Sequence, residues 1–571
     1  MLRKRVVAGM IILLLLLPLA GCTNGEEGEG RQFLNINLGE NPPDLDPQRS
    51  TDSISADLLN AIFEGLMRAD QEGVLQPGLA ADFPEISEDR LTYTFTLREG
   101  LTWSDGEPLT AADFEFAWKR AMSPLTASEY SYLFDCIARA EDLIYFDELP
   151  LPDREELSAE EYEEAMLRFK GELEPYEEAV GVKALDRRTL QVELVQPTPH
   201  FLDLCSFLTY LPAPRHLVER YGEDFATAAD KIAASGPFKM ESWEPDAKIV
   251  LVKNERYWDR ANVSLEKINL FMLKEISTEI NMYETGELDS IIVPGDYLEE
   301  YRDDPGFGSI PEAVCRYLLL NHEDPVMANH NFRRALSYGF DRGKFIEKVL
   351  QDPSLPATAF TPPTIKDQEG NSFNKTWVKD KLLPEGAQLD LAREYLKRAL
   401  EELGLDEVGE LAVTLLCGDS ESHKKYAEGV QGLYRESLGL KIKVESVDFA
   451  TFLERIRNRQ FSLMYLGWNA DFNDPSAFMD LWITDGPYND AGYSNEIYDT
   501  AIEIARSGTD NKTRMEALAE AERILCEDLP IIPLYWPTRN YITRPYVKDW
   551  VRRITGADNE WKYCRLLPAE K

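Results

Sequence analysis

The stretch Phe461-Ser-Leu-Met-Tyr-Leu-Gly-Trp-Asn-Ala-Asp-Phe-Asn-Asp-Pro475 joins a short apolar run to a loop signal. Its first half, Phe461 to Leu466, has the length and the turn-bounded apolar character of a buried strand. Ile249 to Val252, Tyr317 to Leu320 and Ala412 to Leu416 read the same way, and Asp390–Glu402, Glu421–Leu438 and Glu496–Arg506 are amphipathic at helical spacing. Strand and helix therefore alternate through the C-terminal half, which is the pattern of an α/β fold. Further upstream, Leu91-Thr-Tyr-Thr-Phe-Thr-Leu97 alternates apolar residues with threonine, the period of a strand with one buried face. Thr110 with Asp113 three residues on predicts a capped helix carrying Phe114, Ala117, Trp118 and Ala121. Between Glu141 and Glu178 carboxylates dominate, with Leu157, Tyr162, Met166 and Phe169 interleaved, which reads as solvated helix surface.

The chain has 571 residues, of which 44% are apolar, so it can bury a large core and wholesale disorder is excluded. With 61 basic and 102 acidic side chains its net charge is -41, which argues against nucleic-acid binding because a phosphate polyanion would be repelled over most of the surface. Seven cysteines without a CxxC pair give neither a disulfide framework nor a zinc or redox motif. Residues Arg3 to Arg5 are basic, Val6 to Leu19 are nearly all apolar, and Leu19-Ala-Gly-Cys22 follows, so the first segment reads as an export signal. The Leu-Ala-Gly-Cys ending resembles a bacterial lipobox, which implies that Cys22 is lipidated and that 23–30 is a flexible tether at a membrane surface.

No GxSxG, HExxH, P-loop or GxGxxG motif is present. His322 and His330 with Glu323 and Asp324 form the one local group resembling metal ligands, but they lack a chelating spacing and read as a surface loop. No cofactor or metal is expected. With so many acids, a carboxylate pair for hydrolysis stays open as an alternative of a different class.

A series of segments recurs in one order. Pro43-Asp-Leu-Asp-Pro47 leads to Phe63-Glu-Gly-Leu66, Pro77-Gly-Leu-Ala80, Trp103-Ser-Asp-Gly106 and Gly236-Pro-Phe238. Leu251-Val-Lys-Asn254 with Tyr257-Trp-Asp259, Tyr283-Glu-Thr-Gly-Glu-Leu-Asp289, Phe332-Arg-Arg-Ala-Leu-Ser337 with Asp341-Arg342, Trp468 to Pro475, and Ile532-Pro-Leu-Tyr535 complete it. Together these resemble the extracellular solute-binding proteins of the oligopeptide and dipeptide type that feed ABC transporters. The resemblance implies a bilobal, periplasmic-binding-protein type II-like α/β fold with an additional third domain. It places lobe I in 31–63, 214–312 and 538–571, the extra domain in 64–213 and lobe II in 313–537. It also implies a monomeric receptor that closes on an oligopeptide and delivers it to permease subunits, with relatives of the same fold taking nickel complexes, haem or sugars, or sensing peptides without importing them.

A receptor for many peptides must bind what peptides share. An extended ligand adds as a strand to a sheet edge, and a carboxylate fixes its register by pairing with the α-ammonium. The resemblance gives that role to Asp471 beside Trp468, main-chain pairing with the ligand to Gly467 and Asn469, and a contact near the peptide N-terminus to Tyr130, although Glu129 stands where the family has proline. It matches His423 to a histidine that meets the ligand carboxylate. Tyr465 departs from the pattern, because enteric-type oligopeptide receptors carry an arginine there for the C-terminal carboxylate; Lys424, Lys425, Arg455 and Arg457 are the replacements considered. Phe449, Phe472 and Phe478 are taken as core aromatics and Trp468 as a cleft residue.

Overall fold

In the computed structural model, residues 32–154, 157–198, 200–508 and 510–568 are described; the export signal, Cys22 and the tether 23–30 lie outside them. The opening stretch forms the strand Leu463–Asn469, which begins later than its apolar run and continues through Gly467 and Trp468. Tertiary pairing sets these limits: the strand runs antiparallel to Val314–Leu320 in an unbroken register from Leu320↔Leu463 to Val314↔Asn469. These two lie in a six-stranded sheet of order 355–356, 531–536, 314–320, 463–469, 413–418, 442–447. Leu318, Leu320, Leu415, Leu463, Ile532 and Leu534 are fully buried in one of the apolar layers that cover it. The predicted helices appear as Leu389–Leu403, Glu421–Leu438 and Glu496–Ser507.

A second sheet has seven strands in the order 307–311, 538–543, 290–292, 33–37, 267–271, 248–253, 238–244. The N-terminal strand Phe33–Asn37 lies parallel to Lys267–Phe271, and Thr538–Thr543 returns late in the chain to pair with both Ser290–Ile292 and Phe307–Pro311. The chain therefore crosses between the two large sheets at 312–313 and again at 537, where the Glu312 N–H donates to the Pro537 carbonyl at 3.1 Å. Two adjacent short crossings between rigid layers are the arrangement of a hinge.

A four-stranded sheet of 85–86, 92–96, 189–193 and 182–184 forms the third body. Thr92–Thr96 buries Tyr93 and Phe95 as its alternation requires, and helix Ala111–Met122 starts where Asp113 accepts from both the Thr110 N–H and hydroxyl. The acidic stretch contains helix Ala159–Ala179, which buries Phe169 and Leu173 and leaves its carboxylates outward. Its core is continuous with that of the seven-stranded sheet, since Trp118, Phe134 and Val192 belong to the same apolar cluster as Leu34 and Ile268.

Candidate functional site: the cleft between the sheets

A cavity of about 1010 Å³ lies between the two large sheets and the third body. Tyr130, His423, Gly467, Trp468, Asn469 and Asp471 all line it. They reach it from separate elements: Tyr130 from the loop before the short helix Ser131–Phe134, His423 from the first turn of Glu421–Leu438, and the other four from Leu463–Asn469 and the loop after it.

The main-chain orientation of that strand follows from its neighbours. The Ala470 N–H donates to the Ala313 carbonyl at 2.9 Å and the Asn321 N–H to the Ser462 carbonyl at 3.1 Å, so even-numbered positions point toward 314–320. Alternation then turns the main-chain groups of Gly467 and Asn469 to the opposite side. There the parallel neighbour Val413–Gly418 pairs only as far as Leu415↔Leu463 and Leu416↔Met464. Beyond Met464 the strand presents an open edge to the cavity, a template for an added strand.

At the end of this edge stands Asp471. Its Oδ1 accepts from the Tyr130 hydroxyl at 3.0 Å, while Oδ2 is buried without a partner among the described residues. Tyr130 packs edge-on to Phe207 at 5.0 Å between ring centroids, and Tyr488 lies 5.3 Å from Tyr130 and 5.0 Å from Trp468. Burial among these rings pushes the Asp471 carboxyl up to about 7, against the opposing effect of the Tyr130 hydrogen bond. Trp468 is fixed as a wall by its indole N–H, which donates to the Ala477 carbonyl at 2.7 Å.

The opposite end is lined by His423, Tyr465 and Arg316. Burial, with the nearby Arg316 charge adding to it, lowers His423 to about 4, so the imidazole is neutral near pH 7 and its buried Nδ1 is unpartnered. The Tyr465 hydroxyl shares a 2.5 Å hydrogen bond with that of Tyr535. Of the four replacement cations considered from sequence, Lys425 pairs with Asp296 at 2.5 Å and Arg455 with Glu445 at 2.7 Å, both away from the cavity wall, and Lys424 is exposed outside it. Arg457 does line the cavity, but it is held by Glu129 at 2.6 Å. Phe449, expected in the core, packs against it and also lines the cavity, whereas Phe478 is fully buried and Phe472 stacks on His200 at 5.4 Å. Arg316, Tyr317, Trp482 and Asp490 are wall residues that sequence reasoning passed over. One of them carried a signal: Arg316 is a lone charge inside the apolar run Val314-Cys-Arg-Tyr-Leu-Leu-Leu320.

The model of bacterial extracellular solute-binding proteins, family 5, matches residues 74–490. The chain belongs to this family. It is an exported-type solute-binding protein and not an enzyme, which removes the hydrolase alternative. It is 32% identical to the oligopeptide-binding protein OppA of Bacillus subtilis, across 97% of this chain and 98% of that one. Listeria monocytogenes OppA bound to peptide superposes with a TM-score of 0.85 at 30% identity, covering 95% of this chain and all (100%) of that one. The bilobal fold with a third domain is thereby established.

The same comparison bears on how the lobes are arranged. The Escherichia coli murein tripeptide binding protein MppA matches with a TM-score of 0.81 at 25% identity, over 95% of this chain and 100% of that one. MppA in its unliganded open form scores 0.59 at 26% identity, over 95% and 98%. The lobes here are thus arranged more like those of the peptide-bound Listeria protein than like those of the open form.

Proposed function

We propose that this chain is a lipid-anchored extracellular receptor that captures oligopeptides between its lobes and delivers them to an ABC permease. The observation that carries the peptide reading is the Asp471 carboxylate, buried at the end of an open strand edge with one oxygen unpartnered. A buried acid with a free oxygen is stabilised by an incoming ammonium, and a free edge by an incoming main chain, so one ligand with both groups satisfies the two together. Relatives named as oligopeptide-binding proteins support the same ligand class. The membership of the sheets supports a division into lobe I (31–63, 214–312, 538–571), extra domain (64–213) and lobe II (313–537). Lipid anchoring rests on the Leu19-Ala-Gly-Cys22 sequence; loss of membrane association and of lipid label in Cys22→Ser is the expected outcome.

The test of the ligand class is calorimetric titration of the same tripeptide free and N-acetylated. Acetylation removes the ammonium and leaves the main chain, so affinity should fall by roughly 30-fold or more, the effect of losing a buried charge pair. Equal affinity for the two forms would refute the assignment. Mass spectrometry of material released from the purified protein by denaturation reads the ligand class directly, and peptides are expected.

A further inference from the structure

We propose that Arg316 is the group that receives the C-terminal carboxylate of the bound peptide, taking the place of an arginine on the neighbouring strand. The inference rests on the peptide reading of the cleft and adds the identity of its positive end.

Four arginines line the cavity: Arg49, Arg316, Arg457 and Arg459. Arg49 lies 3.4 Å from Asp44, Arg457 2.6 Å from Glu129 and Arg459 2.7 Å from Glu323. Arg316 alone among them has neither an ion pair nor a side-chain hydrogen bond among the described residues. Buried arginines elsewhere in the molecule have partners: Arg514 binds Asp474, Arg539 binds Glu312, and Arg342 donates to the carbonyls of Pro533 and Pro384, with only its Nη2 left over. A guanidinium drawn partly out of water without a partner is costly, and an anionic ligand removes that cost.

The position fits as well as the charge. Arg316 registers opposite Gly467, and a Cβ built on Gly467 would lie 2.1 Å from the Arg316 Nη1 and 2.7 Å from its Cδ. The arginine therefore lies across the glycine, in space that any side chain at 467 would fill, over the strand whose open edge faces the cleft. Tyr465 stands two residues away on the same face, its hydroxyl already engaged by Tyr535, and neutral His423 lies beside it with an unpartnered Nδ1. A guanidinium with a neutral imidazole next to it is a donor set for a carboxylate. Asp471 lies four residues farther along the chain than Gly467. At about 3.3 Å per extended residue the two charges are roughly 13 Å of main chain apart, the reach of an extended peptide of about three or four residues.

The experiment compares three forms of tetra-alanine, free acid, C-terminal amide and N-acetylated, by calorimetry on the wild-type protein, Arg316→Gln and Arg316→Lys. The wild type should bind the acid at least about tenfold more tightly than the amide, the effect of one charge-assisted hydrogen-bond pair. Arg316→Gln should bind acid and amide alike while still rejecting the N-acetylated form, and Arg316→Lys should restore part of the preference for the acid. Wild-type protein that rejects the N-acetylated peptide yet binds acid and amide equally overturns the role of Arg316 and leaves the peptide reading standing. An undiminished preference for the acid in folded Arg316→Gln overturns it too. Failure to distinguish the N-acetylated peptide defeats the peptide reading and this inference with it. The wild-type comparison needs no variant to fold, so it decides by itself if Arg316→Gln does not.

Discussion

The Tyr130 hydroxyl donates to Asp471 Oδ1 at 3.0 Å, joining the third body to the six-stranded lobe and leaving Oδ2 free. This bond holds the acid's orientation while burial works against its charge. The two effects set a pH dependence. Burial raises the carboxyl from 3.8 to about 7, so between those values the folded protein binds more protons than the unfolded chain. Stability of the ligand-free protein from this group therefore falls as pH rises from about 4 to about 7 and is level above that. Affinity for an ammonium moves oppositely: it should rise through the same window and level off above about 7, until the peptide α-amino group itself deprotonates near 8. Calorimetry from pH 5 to 8 reads the rising limb. In Tyr130→Phe a stabilising bond to the carboxylate is gone, so the limb should move to higher pH. In Asp471→Asn it should vanish, with affinity lower by roughly 2 to 5 kcal/mol.

Outside the main cavity the two lobes approach each other tightly at a glycine. A Cβ on Gly295, in the seven-stranded lobe, would lie 1.7 Å from the main-chain oxygen of Leu350 in the other lobe. Backbone cannot rotate aside as a side chain can, so Gly295→Ala should prop the lobes apart. The expected result is weaker peptide binding with no loss of the preference for the free ammonium, and a larger radius of gyration by small-angle scattering in saturating peptide. Unchanged affinity would show that the lobes close without this contact.

Much of this was legible in the sequence because local patterns and tertiary demands agreed. Glu421–Leu438 has Ser420 at its cap, an apolar face and Gly439 at its end, so its limits follow from the residues alone. Leu463–Asn469 differs: its apolar run ends at Leu466, and only pairing with Val314–Leu320 carries the strand through Gly467 and Asn469. The position of Asp471 in the cleft was legible because it sits in a distinctive local segment. The position of Arg316 in the same wall was not, because Arg316 and Gly467 are 151 positions apart and meet only across a register that no local pattern encodes. The cleft-facing side of Phe449 was hidden for a similar reason, since an aromatic at helical spacing looks the same whether its helix faces a core, a cleft or both.

The C-terminal segment is secured to the third body by buried charge. Arg68 donates to Glu560 at 2.8 Å and to Glu64 at 3.0 Å, and Glu64 also accepts from the Tyr257 hydroxyl at 2.5 Å and the Trp258 indole at 3.0 Å. Removing the cation alone leaves two buried carboxylates facing each other, so Arg68→Met should cost about 3 to 5 kcal/mol, read as a lower urea midpoint. Replacing Arg68 and both acids by apolar residues of similar size should recover much of that loss.

Among the described residues two ion pairs bridge the lobes outside the cavity wall: Lys425 with Asp296 at 2.5 Å and Lys274 with Asp419 at 3.3 Å. Lys425 rides on helix Glu421–Leu438 of the six-stranded lobe, and Asp296 follows strand Ser290–Ile292 of the other, so the first pair forms only when the lobes meet. These side chains are substantially exposed, with Asp296 at 45% and Lys274 at 40%, so each pair is worth at most about 1 kcal/mol. Lys425→Ala with Lys274→Ala should therefore weaken binding only severalfold, mainly through faster dissociation, because the closed state is held less firmly while the ligand contacts are untouched. The difference from wild type should shrink as salt is raised from about 0.05 M to 1 M, where screening acts within about 3 Å. A deficit that persists in high salt would mean that the lysines act through packing of their stems and not through charge.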